Sequence, residues 1–132
     1  MPFRHQVRIR YGEVDMQQVV FNAHYLAYAD DAFTRWSEEV GEPWAEESDG
    51  EWDCMVVASH LEWAGSATFD DALDIDCSVK RWGTTSFVLR FAMSVGERPV
   101  CLVETTYVGV RRGTTEKLAP PETFKAALGP AS

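Results

Sequence analysis

The chain has 132 residues, which fits one domain of ordinary size, and nothing in the sequence suggests a second. Apolar residues make up 45% of it, including five Trp, seven Phe and four Tyr, so one core can form without a disulfide or a metal. The formal net charge of −9 excludes a general nucleic-acid binder, because such a protein presents a basic surface to its ligand. We therefore predict a single domain over residues 1–132.

Cysteine and histidine usage predicts neither a disulfide framework nor a metal site. The three cysteines, Cys54, Cys77 and Cys101, are odd in number and fit no ligand spacing, which indicates free thiols in a reducing compartment. His5 and His60 lack a second histidine at ligand spacing. The first residues lack a signal-peptide pattern, and no stretch reaches the ~18 apolar residues of a membrane span. We expect a cytoplasmic protein without a membrane segment.

The first part of the chain predicts one strand followed by one long helix. Residues 6–11 alternate apolar and polar side chains, as a half-buried strand does. After a loop over residues 12–18, Asn22 is a suitable N-cap and Gly41 a suitable C′ residue, which gives a helix of about 27 Å. Between them the apolar residues recur at three- and four-residue steps, the spacing of an amphipathic helix: Tyr25, Ala29, Ala32, Phe33, Trp36 and Val40.

The second part of the chain predicts a series of strands. Residues 55–63 are largely apolar, residues 73–79 and 87–93 alternate apolar with polar, and residues 100–110 are rich in β-branched side chains. A short terminal helix is expected over residues 123–128. The order is strand, long helix and then three or four antiparallel strands, which predicts an α+β fold whose sheet wraps one buried helix.

One segment resembles the signature of a known family. Residues 11–26 read YGEVDMQQVVFNAHYL and resemble the motif of the 4-hydroxybenzoyl-CoA thioesterase family of hotdog proteins. Glu13 and Asp15 take the two acidic positions of that motif, residues 19–21 its apolar run and residues 23–25 its helix start.

Two later stretches extend the resemblance over most of the chain. Residues 67–73, ATFDDAL, and residues 83–86, GTTS, resemble the family's entries into two successive strands. The resemblance implies a hotdog fold, hydrolysis of an acyl-CoA thioester, and a homodimer or homotetramer. It implies no cofactor apart from the coenzyme A of the substrate, and no nucleic-acid or membrane partner.

The chemistry of thioester hydrolysis matches the first motif. The reaction needs a group that attacks the carbonyl carbon or activates water, and donors for the oxyanion that forms. A carboxylate ahead of a helix supplies the first, and the free N–H groups of the first turn supply the second. By the resemblance, Asp15 is the catalytic carboxylate, as general base or nucleophile, and the backbone N–H of Asn22 polarises the carbonyl. Neither role requires a metal.

Several residues are also expected to bind the substrate. Gln18, His24 and Tyr25 are expected to contact the substrate, although the helical period also puts Tyr25 on the core stripe. The family often has glycine where this chain has Gln18. Glycine permits a positive φ, whereas the glutamine amide could bond the substrate or a water. One pair among the strand-end cations is expected to bind the coenzyme A phosphates: Lys80 with Arg81, or as the alternative Arg111 with Arg112.

Two other functions stay open on the sequence alone. A hotdog hydratase or dehydratase needs an acid–histidine pair around the helix, for which His24 is the one candidate. A non-catalytic acyl-CoA-binding module would fit Gln18 in place of glycine. Glu13 is expected to be solvated or ion-paired rather than a second catalytic residue.

The regular strands also predict self-association. The apolar alternation over residues 73–79 and 87–93 is too long and regular for a free sheet edge, so we expect sheets joined edge to edge between copies. Tyr28 and Asp31 fall outside the apolar stripe of the helix and are expected on a face that can meet a partner subunit.

Overall fold

The fold consists of one antiparallel sheet and one long helix that packs on it. A computed structural model of the protein describes residues 3–132. In chain order the elements are β1 (Phe3–Arg8), a 3-10 turn (Tyr11–Glu13), α1 (His24–Glu39), α2 (Pro43–Glu47), β2 (Trp52–Trp63), β3 (Ala72–Trp82), β4 (Ser86–Val95), β5 (Arg98–Arg111) and α3 (Glu122–Leu128).

The sheet has the strand order β1-β3-β4-β5-β2, with every neighbouring pair antiparallel. The central strands alternate buried and more exposed side chains, as a sheet with one covered face requires. The two edges differ in length, with 6 residues in β1 and 12 in β2.

Helix α1 covers the inner face of the sheet with an apolar stripe. Tyr25, Ala29, Ala32 and Trp36 are all buried, and they pack into one core with inward side chains of the central strands. A sheet curved around one helix is the hotdog arrangement, and the predicted α+β hotdog fold is confirmed.

The start of the chain corrects the predicted first strand. The ladder ends at Arg8 rather than continuing through residue 11, and Tyr11 is exposed in the 3-10 turn. The chain turns here because the backbone N–H of Glu13 donates to the carbonyl of Arg10, and the Glu13 carboxylate accepts the Arg10 N–H. Ile9 nevertheless stays buried, joined to the segment before β3 by two backbone hydrogen bonds.

The edges of the sheet also differ from the prediction. Residues 73–79 and 87–93 belong to β3 and β4, which lie inside the sheet with both sides paired. The long free edge is β2, which exposes the large apolar side chains of Met55, Val56 and Val57.

Candidate active site

Asp15 lies in a short hairpin that leads from the 3-10 turn into α1. Val14 and Val20 pair across this hairpin as an antiparallel bridge. The backbone N–H of Asp15 donates to the carbonyl of Val19 at 2.9 Å. The backbone at Asp15 is therefore fixed by its own loop before any ligand arrives.

The carboxylate of Asp15 faces a cavity of about 730 Å³. Its Oδ1 accepts the backbone N–H of Gln17 at 2.8 Å, and within residues 3–132 its Oδ2 accepts no hydrogen bond. Three exposed apolar side chains form the rim, namely Tyr11, Met16 and Phe69, and Met16 is 100% exposed. An apolar rim of this kind around a free carboxylate oxygen is typical of a ligand site rather than of ordinary surface.

The N-terminus of α1 has free backbone donors. The helix begins at His24, one residue after Ala23, whose side chain makes no capping bond, so the predicted N-cap at Asn22 is wrong by one residue. The N–H groups of His24 and Tyr25 turn back onto the carbonyls of Phe21 and Asn22. In the described part of the chain, the N–H groups of Asn22 and Ala23 have no acceptor. They lie at the positive end of the helix dipole.

Glu13 ties the two ends of the hairpin together. The residue is only 8% exposed, and its carboxylate accepts both the backbone N–H of Arg10 at 2.8 Å and the Arg10 guanidinium at 2.9 Å. The carbonyl of Glu13 accepts the N–H of Phe21 at 3.1 Å, next to Asn22. Burial alone would raise the pKa of Glu13, but the Arg10 hydrogen bonds and charge outweigh it and lower that pKa.

Tyr28 lies beneath this ion pair and not on an exposed face. It is buried, and its hydroxyl makes no hydrogen bond of regular geometry although it lies beside the Glu13 carboxylate. Burial, and then the charge of Glu13, raise the pKa of Tyr28. The expectation that Tyr28 meets a partner subunit is therefore wrong, whereas Asp31 is partly exposed and pairs with His5 at 2.9 Å.

Gln18 adopts the backbone conformation that glycine favours. Its φ is +65°, in the left-handed region. The Thr68 hydroxyl donates to the Gln18 carbonyl at 2.7 Å, and the Gln18 N–H donates to the Asp15 carbonyl at 2.9 Å. The side chain lines the Asp15 cavity, is exposed, and makes no hydrogen bond to residues 3–132. Its role toward substrate stays a prediction.

The two aromatic candidates of the first helical turn have different surroundings. Tyr25 is buried, and its hydroxyl accepts the N–H of Ala67 at 3.2 Å, whose carbonyl accepts the N–H of Val20. Tyr25 thus supports the site from the core rather than facing its cavity. His24 is partly exposed and meets the ring of Phe21 edge-on, with 6.1 Å between centroids.

Lys80 and Arg81 lie far from Asp15 within one chain. The Asp15 hairpin contacts the segment just before β3, whereas Lys80 follows Ala72 by eight residues, about 26 Å along an extended strand. Lys80 also already pairs with Glu104 at 2.8 Å. The structure does not bring either residue to the Asp15 cavity of the same chain.

Residues 3–132 contain neither a candidate membrane-spanning helix nor a candidate metal site. No helix among residues 3–132 is both long and apolar enough to span a bilayer. In the same part of the chain, no three His, Cys, Asp or Glu side chains are grouped as a metal site would require.

The fold, together with a carboxylate placed just ahead of the central helix, defines a hotdog protein of the thioesterase type. The chain belongs to the thioesterase-like superfamily, whose family model matches residues 9–128. A relative from Aquifex aeolicus (strain VF5) is 20% identical over 113 residues, covering 86% of this chain and 88% of the relative.

Solved structures show the same fold at low identity. A 1,4-dihydroxy-2-naphthoyl-CoA thioesterase from Synechocystis superposes with a TM-score of 0.85 at 16% identity, covering 97% of this chain and 96% of the other. A 4-hydroxybenzoyl-CoA thioesterase variant bound to 4-hydroxybenzoyl-CoA gives 0.82 at 19% identity, covering 97% and 99%. A probable thioesterase from Bartonella henselae gives 0.78 at 19% identity, covering 89% and 99%.

The Glu13 contacts predict that this residue positions the hairpin. Glu13→Ala should lower kcat for thioester hydrolysis by about ten- to a hundredfold with a smaller effect on KM, because Asp15 and Asn22 lose their fixed relation. Glu13→Gln keeps an oxygen for the Arg10 N–H and should recover part of that loss. Glu116→Ala, which breaks the comparably short ion pair with Arg111, is the matched control. An unchanged kcat for Glu13→Ala would contradict the positioning role.

The left-handed backbone at Gln18 predicts that glycine substitutions at positions 17 and 18 have different effects on the free energy of unfolding. Gln18→Gly should leave the free energy of unfolding unchanged or raise it by up to ~1 kcal/mol, because glycine adopts positive φ without steric cost. Gln17→Gly, at a position without positive φ, should lower it. If the Gln18 amide contacts the substrate, Gln18→Gly also changes kcat or KM by more than about twofold. Denaturant titration and steady-state kinetics measure the two effects separately.

Proposed function

We propose that this chain is an acyl-CoA thioesterase, which hydrolyses an acyl- or aroyl-CoA by a carboxylate-based mechanism that uses no metal. The observation that carries the proposal is that one short hairpin places the Asp15 carboxylate just ahead of the uncapped N-terminus of α1. Membership of the thioesterase-like superfamily supports the reaction class. Fold neighbours whose names specify dihydroxynaphthoyl- and hydroxybenzoyl-CoA support a coenzyme A thioester as the substrate.

In the proposed mechanism, the thioester carbonyl oxygen accepts the N–H of Asn22. That hydrogen bond and the helix dipole stabilise the oxyanion as the tetrahedral intermediate forms. Asp15 either takes a proton from the attacking water or attacks the carbonyl carbon itself, forming an anhydride that water then opens. In both routes the C–S bond breaks, coenzyme A leaves as its thiol after gaining a proton, and the acyl group is released as a carboxylic acid.

We further propose that the enzyme is a homodimer or homotetramer in which β2 edges pair. Three features support this assembly. Strand β2 is 12 residues long with one side unpaired in the described chain, and its Met55, Val56 and Val57 side chains are exposed. The exposed Leu26 on α1 extends the same apolar surface. A long apolar edge is an association site unless another chain covers it.

The proposed location is the cytoplasm. Cys54, Cys77 and Cys101 are all free thiols. Burial raises the pKa of Cys101 to about 11 and that of Cys77 to about 12. Free cysteines are what a reducing compartment favours, and the raised pKa values make these thiols poor nucleophiles.

The central prediction concerns Asp15. Asp15→Asn should lower kcat by about 10²–10⁴-fold, because an amide can neither accept the water proton nor attack the carbonyl. Release of free coenzyme A thiol from a panel of aliphatic and aromatic acyl-CoAs measures it. Asp49→Asn is the control, since Asp49 is another loop aspartate, lies outside the Asp15 cavity, and has a positive φ that asparagine tolerates.

The same panel separates the competing functions. Retention of more than about a tenth of the wild-type rate by Asp15→Asn would contradict the assignment to Asp15. Binding of acyl-CoA by the wild type without thiol release would indicate a non-catalytic module. Turnover without free thiol would indicate a hydratase, although His24 makes no hydrogen bond to a carboxylate within residues 3–132.

If copies of the chain pair along β2, a positive charge placed on that edge should weaken the assembly. Val57→Lys should convert the oligomer to a folded monomer of about 15 kDa and lower activity, because a lysine on the edge opposes strand pairing. Thr115→Lys, in an exposed turn, adds the same charge and should leave the oligomer intact. Light scattering with parallel thiol-release assays measures both. A wild-type protein that is monomeric at micromolar concentration and fully active would refute the assembly.

A further inference from the structure

One buried hydroxyl of the chain has no hydrogen bond. Among residues 3–132, the Tyr28 oxygen is the one fully enclosed side-chain oxygen or nitrogen without a partner. Only 4% of the residue is exposed, and its ring meets that of Tyr25 edge-on, with 5.8 Å between centroids. A buried hydroxyl without a partner is costly, and a phenylalanine ring would fill the same space without that cost. Packing alone therefore does not account for a tyrosine at this position.

The Glu13 carboxylate lies beside this hydroxyl and has room for another hydrogen bond. Burial, and then the charge of Glu13, raise the pKa of Tyr28, so the phenol keeps the proton that it can donate. The two oxygens of a carboxylate offer about four acceptor sites. Glu13 uses one site on each oxygen, for the backbone N–H and the guanidinium of Arg10. A small shift of the carboxylate can therefore align it with the Tyr28 hydroxyl and keep both bonds to Arg10.

A shift of Glu13 reaches both parts of the proposed catalytic site. Asp15 is two residues further along the chain. The carbonyl of Glu13 accepts the N–H of Phe21, the residue before Asn22, whose own N–H is the proposed oxyanion donor. Tyr28, by contrast, belongs to the core on which α1 is packed, so it stays in place when the hairpin moves. The phenol is thus a fixed point against which the hairpin can be held.

We propose that Tyr28 is a positioning residue for the thioesterase reaction: when the thioester carbonyl binds, the hairpin moves slightly and Glu13 accepts the Tyr28 hydroxyl. The inference rests on the proposed function. Because the donor is enclosed and the acceptor is charged, this hydrogen bond is strong once it forms. It is absent from the free protein and present in the reactive complex, so it should raise kcat more than it lowers KM.

Tyr28→Phe separates this role from a structural one, because it removes the hydroxyl and keeps the ring. The kcat for octanoyl-CoA and benzoyl-CoA should fall by about five- to twentyfold, with KM changed by less than about twofold. The midpoint of thermal unfolding of the free protein should stay level or rise, since no bond is lost. Ser37→Ala, which removes a largely buried hydroxyl near the other end of α1, is the control and should keep kcat.

Two results of this comparison would overturn the proposal. A lower unfolding midpoint for Tyr28→Phe would show that the hydroxyl is already bonded in the free protein. An unchanged kcat would show that the hydroxyl has no part in the reaction.

A double variant tests whether Tyr28 acts through Glu13. In the Glu13→Ala background, Tyr28→Phe should change kcat by less than about twofold, because the acceptor is already gone. Independent effects would multiply instead, and the double variant would be slower than Glu13→Ala by the full factor of the Tyr28→Phe single variant. That result would refute the coupling.

A complex without turnover separates the positioning from the reaction itself. In Asp15→Asn labelled with ¹³C at the ζ carbon of its four tyrosines, the signal that Tyr28→Phe removes belongs to Tyr28. Benzoyl-CoA should shift that signal, and should not shift it when Glu13 is also changed to alanine. A bound thioester without the shift would refute the positioning and leave the thioesterase function standing.

The remaining outcomes concern the proposed function. Absence of hydrolysis by the wild type would refute the thioesterase proposal, and the Tyr28 signal would still decide whether acyl-CoA binding closes the bond to Glu13. If neither octanoyl-CoA nor benzoyl-CoA binds, both proposals fail.

Discussion

Close packing of α1 on the sheet is the constraint on which the rest of the structure depends. Ala29 and Ala32 are the smallest side chains of the buried stripe, and they let the helix axis approach the strands. Tyr25 and Trp36 fill the space at either side of them. Because interiors are packed at crystal-like density, a helix held at these four positions has little freedom to slide or rotate. Its N-terminus is therefore fixed relative to the segment at Ala67, which donates its N–H to the Tyr25 hydroxyl.

The helix end is fixed by packing, so the unfavourable local geometry lies in the hairpin that carries Asp15. The N-terminus of α1 has no side-chain cap, which costs about 1 kcal/mol relative to a capped helix. Gln18 holds a left-handed backbone that glycine would adopt more easily. Glu13 offsets these costs through its bonds to Arg10 and Phe21. Unfavourable local geometry of this kind clusters at functional sites, and here the uncapped N–H groups are the proposed oxyanion donors.

Local sequence patterns predicted the helices and strands of this chain well, but they did not predict which strands lie side by side in the sheet. The apolar stripe of α1 follows from the spacing of residues within the helix. The end of α1 follows from Gly41, just beyond the helix, whose φ of +78° glycine adopts easily. The strand order does not, because it depends on pairings between distant segments, so the free edge was assigned to the wrong strands. Lys80 and Arg81 were recognisable as cations, but their distance from Asp15 is set by the direction of β3 in the sheet. Tyr11 continued the apolar alternation, yet a nearby ion pair ended the strand before it.

The proximity of Asp30 and Tyr107 could not be predicted from local patterns, because the two residues are far apart in sequence and line one cavity only where α1 crosses β5. The cavity that Asp30 and Tyr107 line also adjoins the exposed edge of the sheet. Val56 lines it and belongs to the exposed apolar edge of β2, as does Leu26 on the helix side. A second copy paired along β2 would cover the cavity and exclude water from it, which strengthens every polar contact inside. If the β2 edges of two copies pair as proposed, the exposed apolar edge and the open cavity beside it have one explanation, since the second chain covers both.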